Sequence, residues 1–204
     1  MSLCLCGQDF IVLGRGAALG DIHMNTRLSE IVSEIEDART TLYGIVGGLS
    51  QKELEKQPDP GRWSAGEILH HLYFVETGIT KLLIKQIERA AKRGLGPDPN
   101  DESVIGSLDR FAFEVAETKY EAPSYSAPRR GIEKGELMEL LQDSRTELLE
   151  IVSKAGSYDL SELLFPHPAF GRINMYQWIL FVGKHERRHT VQLEDLVRKI
   201  PASG

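Results

Sequence analysis

Apolar residues spaced by three and four constrain this chain more than any other feature. From Asn25 onward, Leu28, Ile31, Ile35, Ala38, Leu42, Ile45 and Leu49 form one stripe, about six helical turns long. The period recurs in three further segments. In "RWSAGEI", Ser64 is placed to cap a second helix, Glu67 to close a capping box, and Trp63 with Ile68 to form a hydrophobic staple. The stripe that follows is Ile68, Leu72, Val75, Ile79, Leu82 and Leu83, with a stop at Gly94. A third helix carries Leu137, Leu140, Leu141, Leu148, Ile151 and Val152 and stops at Gly156. The fourth repeats the entry device, with Asn174 as cap, Gln177 as box partner, and Ile173 with Trp178 as staple. No segment alternates as a strand should. Four long amphipathic helices without strands predict an all-α four-helix bundle.

The connections set the order of those helices. About forty residues, 94–134, join the second helix to the third and hold Pro97, Pro99, Pro123 and Pro128. A connection of that length can run along the whole bundle and leave its two helices parallel, so the expected order is up-down-down-up with a long crossover between helices 2 and 3. Residues 107–117, "SLDRFAFEVAE", are expected to form a short helix over one end of the core. Residues 1–23 read differently. Their "FIVLGRGAALG" has spaced glycines after an apolar run, but "GDIH" follows and a separate helical pattern begins near Asn25, where a dinucleotide site needs a helix opening at the glycines and a second strand ending in an acidic residue. The expectation is a poorly ordered leader at 1–23, with Met24 as an alternative start, ahead of a bundle domain at 24–204. The two cysteines, Cys4 and Cys6, fall in that leader and are too close together to staple a fold.

Thirty acidic against 24 basic residues leave a formal net charge of −6. That balance provides no basic footprint for a phosphate backbone and argues against a nucleic-acid partner. No apolar run approaches the ~18 residues of a membrane span, and residues 1–20 lack the pattern of a secretory signal. The expected location is the cytoplasm, with no membrane partner.

"KHERRHTVQLEDL", residues 184–196, contains His-Glu-Arg-Arg-His, a literal match to the H-E-x-x-H signature of zinc proteases. His185 and His189 lie one turn apart on the inward stripe of Trp178, Val182 and Leu196. Glu186 sits about 100° round from His185, on the flank. In the "HHL" of the second helix, His71 lies about 60° from the centre of the apolar stripe and His70 about 160° away, so only His71 faces inward. Tyr73 and Glu76 fall toward the flanks and receive no role.

A lone inward histidine is most often a hydrogen-bonded core residue. Three together are costly to bury unless something satisfies their nitrogens, and a divalent ion does so at once. The protease reading fails on its remaining parts. Only fifteen residues follow His189, and Glu194 is too near on the same helix to be a third ligand. Gln192 stands where a turning glycine would be needed, which leaves Asp195 almost two turns from His189. The match to the protease signature is accidental.

"GRWSAGEILHHLYFVE", "FPHPAFGRINMYQWILFVGKHERRHTVQLEDL" and the proline-containing crossover together resemble the DinB-like superfamily of metal-binding four-helix bundles, over residues 24–200. The resemblance implies an up-down-down-up bundle and a bound divalent metal, commonly zinc or nickel. Its ligands are one histidine from the second helix and two from the fourth, here His71, His185 and His189. Characterised members include transferases that conjugate bacillithiol to electrophiles and mycothiol-dependent maleylpyruvate isomerases. The expected function is therefore a metal-dependent enzyme that joins a low-molecular-weight thiol to an electrophilic substrate. A metal-dependent hydrolase and a non-catalytic, metal-stabilised binding or stress protein are the alternatives. Three neighbours are candidates for catalytic roles. Gln192 shares the His185 stripe and can hold a ligand or a bound water. Arg188, at the edge of the inner face, can receive a substrate carboxylate or join an interhelical ion pair. His167, between Pro166 and Pro168, either overhangs the metal as acid or base or is a turn residue. Glu67 is needed only for the capping box. The sequence leaves open whether two chains pair as a homodimer.

Overall fold

The computed structural model describes residues 25–110 and 127–199. The leader at 1–23, with Cys4 and Cys6, lies outside the described residues. Five α-helices and one hairpin make up the described part: α1 Thr26–Val46, α2 Gln51–Glu55, α3 Ala65–Arg93, α4 Lys134–Ala155, β1 Leu164–His167, β2 Gly171–Asn174 and α5 Met175–Arg198. The long helices α1, α3, α4 and α5 are the four expected from the apolar stripes. Their starts are set by local chemistry. The Asn25 side chain accepts the Leu28 N–H at 2.9 Å, and Ser64 with Glu67 and Asn174 with Gln177 both close reciprocal capping boxes. Gly94, at φ 66°, ends α3 in the left-handed conformation that glycine adopts without strain.

Helix directions follow from which residues meet. Along α1 and α5, Asn25 donates to the Tyr176 hydroxyl at 2.8 Å, Glu34 pairs with Arg187 at 2.9 Å, and Arg39 pairs with Glu186. Both helices therefore ascend together. Along α3 and α4, Gly66 lies beside Leu137 and Glu76 accepts from Ser144, so these two are also parallel. Arg145 of α4 reaches back to the Ile35 carbonyl of α1 while Arg39 reaches the Leu141 carbonyl, which sets the two pairs antiparallel. The bundle is up-down-down-up. α1 and α5 approach closely at Gly183, where an added Cβ would meet Ile35 at 3.1 Å.

One polar layer crosses the middle of the core. Each bundle helix supplies a single charge to it: Arg39 from α1, Glu76 from α3, Arg145 from α4 and Glu186 from α5, all at most 5% exposed. Glu76 accepts from Arg39 at 3.0 Å and from Arg145 at 2.8 Å, and Arg145 also donates to Glu186 at 2.9 Å. Burial alone would lower the basicity of both arginines, but Glu76 and Glu186 outweigh it and raise them. The layer divides the apolar core in two. On one side lie Leu28, Ile31, Ile35, Ile79, Leu83, Leu148 and Ile179; on the other lie Leu42, Val46, Ile68, Leu72, Leu141 and Leu193.

Several details depart from the sequence reading. Glu76 and Glu186, placed on the flanks, are interior, because the arginines of α1 and α4 meet them there. Glu67 does more than cap, since its carboxylate also pairs with Arg130 at 2.9 Å. A short helix, α2, opens after α1 with its own Ser50–Glu53 box. The absence of strands is also corrected. Residues 164–174 form an antiparallel hairpin with Phe165 opposite Ile173, too short to show a period of two. The helix expected over residues 107–117 is met at its start by the 3₁₀ turn Ile105–Leu108, and residues 111–117 lie outside the described part.

Removing one member of the layer leaves buried charge without a partner. Glu76→Ala is expected to destabilise the protein by about 3–5 kcal/mol, read as a lowered denaturant midpoint with unchanged slope. A loss below about 1 kcal/mol, the range of an exposed ion pair, would contradict the layer's buried character.

Candidate metal centre

α3 and α5 run antiparallel, and their facing sides bring His71 against His185 and His189. His71 Nε2 and His185 Nε2 lie 3.1 Å apart. One ring nitrogen from each of the three histidines falls within 4.8 Å of the other two. The ring centroids are 4.6–5.2 Å apart and the planes steeply inclined, so the nitrogens converge while the rings do not stack. Among the described residues no other histidine, cysteine, aspartate or glutamate joins this group. Three neutral imidazoles meeting at one point are a donor set that suits a divalent transition ion.

The surroundings keep the His185 and His189 rings neutral. Burial, with the nearby His189, His71 and Arg188, holds His185 well below the ordinary histidine range. Burial, with His71 close by, lowers His189 to about 3, opposed by its hydrogen bond to Gln192. Neutral imidazole is the form that binds metal. Gln192 Oε1 lies 2.9 Å from His189 Nδ1. An amide oxygen there accepts the Nδ1 proton and leaves Nε2 as the free lone pair, the tautomer a ligand needs.

His70 is equally informative. It is not solvent-facing, being 3% exposed, yet it does not join the cluster. Its Nδ1 accepts the Arg129 N–H at 2.8 Å and its ring packs on Phe74, so it ties down the end of the crossover. Adjacent histidines on one helix thus serve opposite faces.

His167 sits near the cluster through an aromatic stack. Its ring lies 4.2 Å from that of Phe170 and 4.6 Å from that of Phe181, and Phe181 in turn is 5.1 Å from His185. Its Nδ1 accepts the Ala169 N–H at 3.1 Å, which closes the hairpin turn and leaves the proton on Nε2. Burial pushes its pKa down to about 4. Arg188 is half-buried, and its charge bears on both His185 and His189. Glu186 is turned from the cluster and ion-paired with Arg39 and Arg145, which holds its carboxylate away from the position a protease base must occupy.

Two site residues were missed in the sequence. Trp63 lies with its ring 4.9 Å from His71 and 6.4 Å from His189, roofing the cluster. Its staple position placed it beside the first turn of α3, and His71 two turns on is within reach of an indole. Phe181 precedes His185 by four residues on α5, the spacing that brings side chains into contact.

Residues 34–193 match the family model of the DinB superfamily. The chain belongs to that superfamily. Membership in the DinB superfamily often accompanies metal binding, in keeping with the histidine cluster. The chain is 28% identical over 173 residues to the Bacillus subtilis (strain 168) protein named "Uncharacterized protein YuaE", covering 83% of this chain and 98% of that one. Its fold is similar to the crystal structure of TT2238, described as a four-helix bundle protein, with a TM-score of 0.57 at 20% identity over 82% of this chain and 98% of that one. No helix of the described residues is long and apolar enough to cross a membrane.

Two outcomes follow from this geometry. His71→Ala is expected to abolish binding of a divalent ion, measured by elemental analysis, whereas His70→Ala retains the ion but melts at lower temperature because the Arg129 N–H loses its acceptor. Equal metal loss in both would overturn the assignment of faces. The second concerns acid. His167, His185 and His189 resist protonation in the folded state, while in the unfolded chain they titrate near 6.5. The unfolded state therefore binds more protons below that pH, and stability rises with pH across the window. Metal-free protein is expected to melt progressively lower as pH falls from about 6.5 toward 4. The onset lies above the carboxylate range, and a melting temperature constant down to about pH 5 would contradict it.

Proposed function

We propose that this chain is a metal-dependent enzyme that conjugates a low-molecular-weight thiol to an electrophile, with His71, His185 and His189 holding the metal. The observation that carries the reading is the convergence of three imidazoles with no fourth ligand grouped with them among the described residues. Such a set leaves positions for an exchangeable partner, whereas a purely structural site is closed by protein. A divalent ion held there supplies the Lewis acidity that keeps a small thiol deprotonated and nucleophilic near neutral pH.

The chain's own residues do the rest. Gln192 fixes the His189 ring by accepting its Nδ1 proton. Trp63 and Phe181 pack on the cluster from two sides, and apolar walls of this kind strengthen the electrostatic interactions beside them. Arg188 adds a positive charge beside the histidines, suited to an anionic portion of thiol or substrate. His167 carries its proton on Nε2 and remains neutral at physiological pH, so its role is to donate a hydrogen bond to a polar group of the substrate. In the reaction the thiol sulfur forms a bond to carbon while the leaving group departs with its electron pair, and the thiol proton passes to solvent. Residues 24–204 contain no cysteine, and the nucleophile in this reading comes from a small molecule.

Metal-loaded protein is expected to consume an electrophile from a broad panel only when bacillithiol, mycothiol or glutathione is present. Gln192→Ala should retain the metal and lose about ten- to a hundredfold in rate. Metal-loaded protein that consumes no electrophile with any of the three thiols would overturn the transferase reading.

A further inference from the structure

At the opposite end of the bundle, the last turns of α3 meet the 3₁₀ turn Leu160–Glu162 and the hairpin around an open pocket of about 430 Å³. Gln86 lies fifteen residues beyond His71 in the sequence, a rise of about 22 Å along α3, so this pocket is separate from the histidine cluster. Its lining is strongly biased in charge. Arg89, Lys92 and Arg93 of α3 and Arg172 of β2 border it against a single carboxylate, Glu162. None of the four cations joins an ion pair among the described residues. In a chain of net charge −6, four unpaired cations in one place call for an explanation. Lys92 and Arg93 occupy the last turn of α3, where cations offset the helix dipole. That accounts for neither Arg172, on another element, nor Gln86.

Gln86 is the decisive residue. It is 3% exposed and lines the pocket, and its Nε2 is enclosed with no hydrogen-bond partner, so a turn of the amide toward the pocket would bring the donor to a bound group. A buried amide donor without an acceptor is destabilising, and natural structures retain such a group where something else satisfies it. The acceptor that fits is an anion drawn in by the surrounding cations. Net charge of the lining, four positive against one negative, matches a dianion better than a monoanion. Arg89 and Arg93 are one turn apart on α3, so their guanidinium forks project to the same side and suit the multiple oxygens of a phosphate. The pocket is larger than an inorganic phosphate needs, and Leu163 with the 47% exposed Leu164 offers apolar surface for a carbon body.

We propose that this pocket binds an organic phosphate monoester, its phosphoryl oxygens held by Gln86 Nε2, Arg89, Arg93 and Arg172. The site is independent of the thiol chemistry and survives if that reading fails.

The test uses the full metal-loaded chain with inorganic phosphate, glycerol phosphate and succinate as probes, compared with chloride at equal ionic strength. Thermal melts and titration calorimetry are read together, because a ligand that binds only the folded state raises the melting temperature as it saturates. Both phosphates are expected to bind saturably, glycerol phosphate more tightly, and succinate at least tenfold more weakly. Gln86→Met, which keeps the size and removes the donor, should weaken phosphate at least tenfold while melting no lower than the wild type without ligand. Arg172→Ala should weaken it similarly. Phosphate binding that survives Gln86→Met and Arg172→Ala, or that vanishes only in His185→Ala, would place the anion elsewhere and overturn the proposal. Succinate binding as tightly as phosphate would overturn the choice of a dianionic phosphoryl group.

Discussion

The buried layer of Arg39, Glu76, Arg145 and Glu186 is the constraint on which the remaining structure depends. Four charges in the core are tolerable only when each finds its counterpart, and here two cations and two anions come from four different helices. Apolar stripes alone allow one helix to slide past another by a turn at modest cost. A slide of any helix here would strand a charge among leucines, so the layer fixes all four heights at once. The guanidinium bonds to the Ile35 and Leu141 carbonyls extend the constraint to the backbone.

The histidine cluster inherits its geometry from this layer. On α5, His185, Glu186 and His189 are nearly consecutive yet serve two sides, with Glu186 turned to α1 and α4 and the histidines to α3. On α3, Glu76 follows His71 by little more than one turn. Fixing Glu76 and Glu186 at a common height therefore also fixes His71 opposite His185 and His189. Precision at the cluster comes from the rigid helices behind it, which is how a constellation of ligands is best held.

How far this could be read from the sequence depends on the period of the signal. Helix starts at Ser64 and Asn174 were legible because a capping box is a local code of four residues. That His71 rather than His70 lies toward His185 and His189 was legible because about 100° per residue separates neighbours on a wheel, but the burial of His70 at 3% exposure was not, since it depends on the Arg129 backbone of the crossover. The roles of Glu76 and Glu186 were not, since a wheel measured from the apolar stripe counts charges as surface. Only the inward arginines of α1 and α4 make those positions interior, and pairing across four helices leaves no mark in any one of them. Trp63 was correctly seen as an entry residue and missed as a lid, because its second contact is with a helix more than a hundred residues away. The hairpin at 164–174 was missed since four-residue strands are too short for alternation to register.

The crossover is pinned at both its ends. Near its start, Asp98 and the Glu102 carbonyl receive Arg27 at the base of α1; near its finish, Arg129 and Arg130 are bound by His70 and Glu67 at the first turns of α3. These anchors lie at opposite ends of the bundle and belong to helices whose heights the core already sets. Leu108, between them, is also buried in the core, so added length is best accommodated after it, where doubling a connection costs only about 0.6 kcal/mol in closure entropy. The finishing anchor adjoins the helix that carries His71. A lineage of such bundles can therefore diversify in length and composition beside its reactive centre while the frame that aims the ligands stays constant.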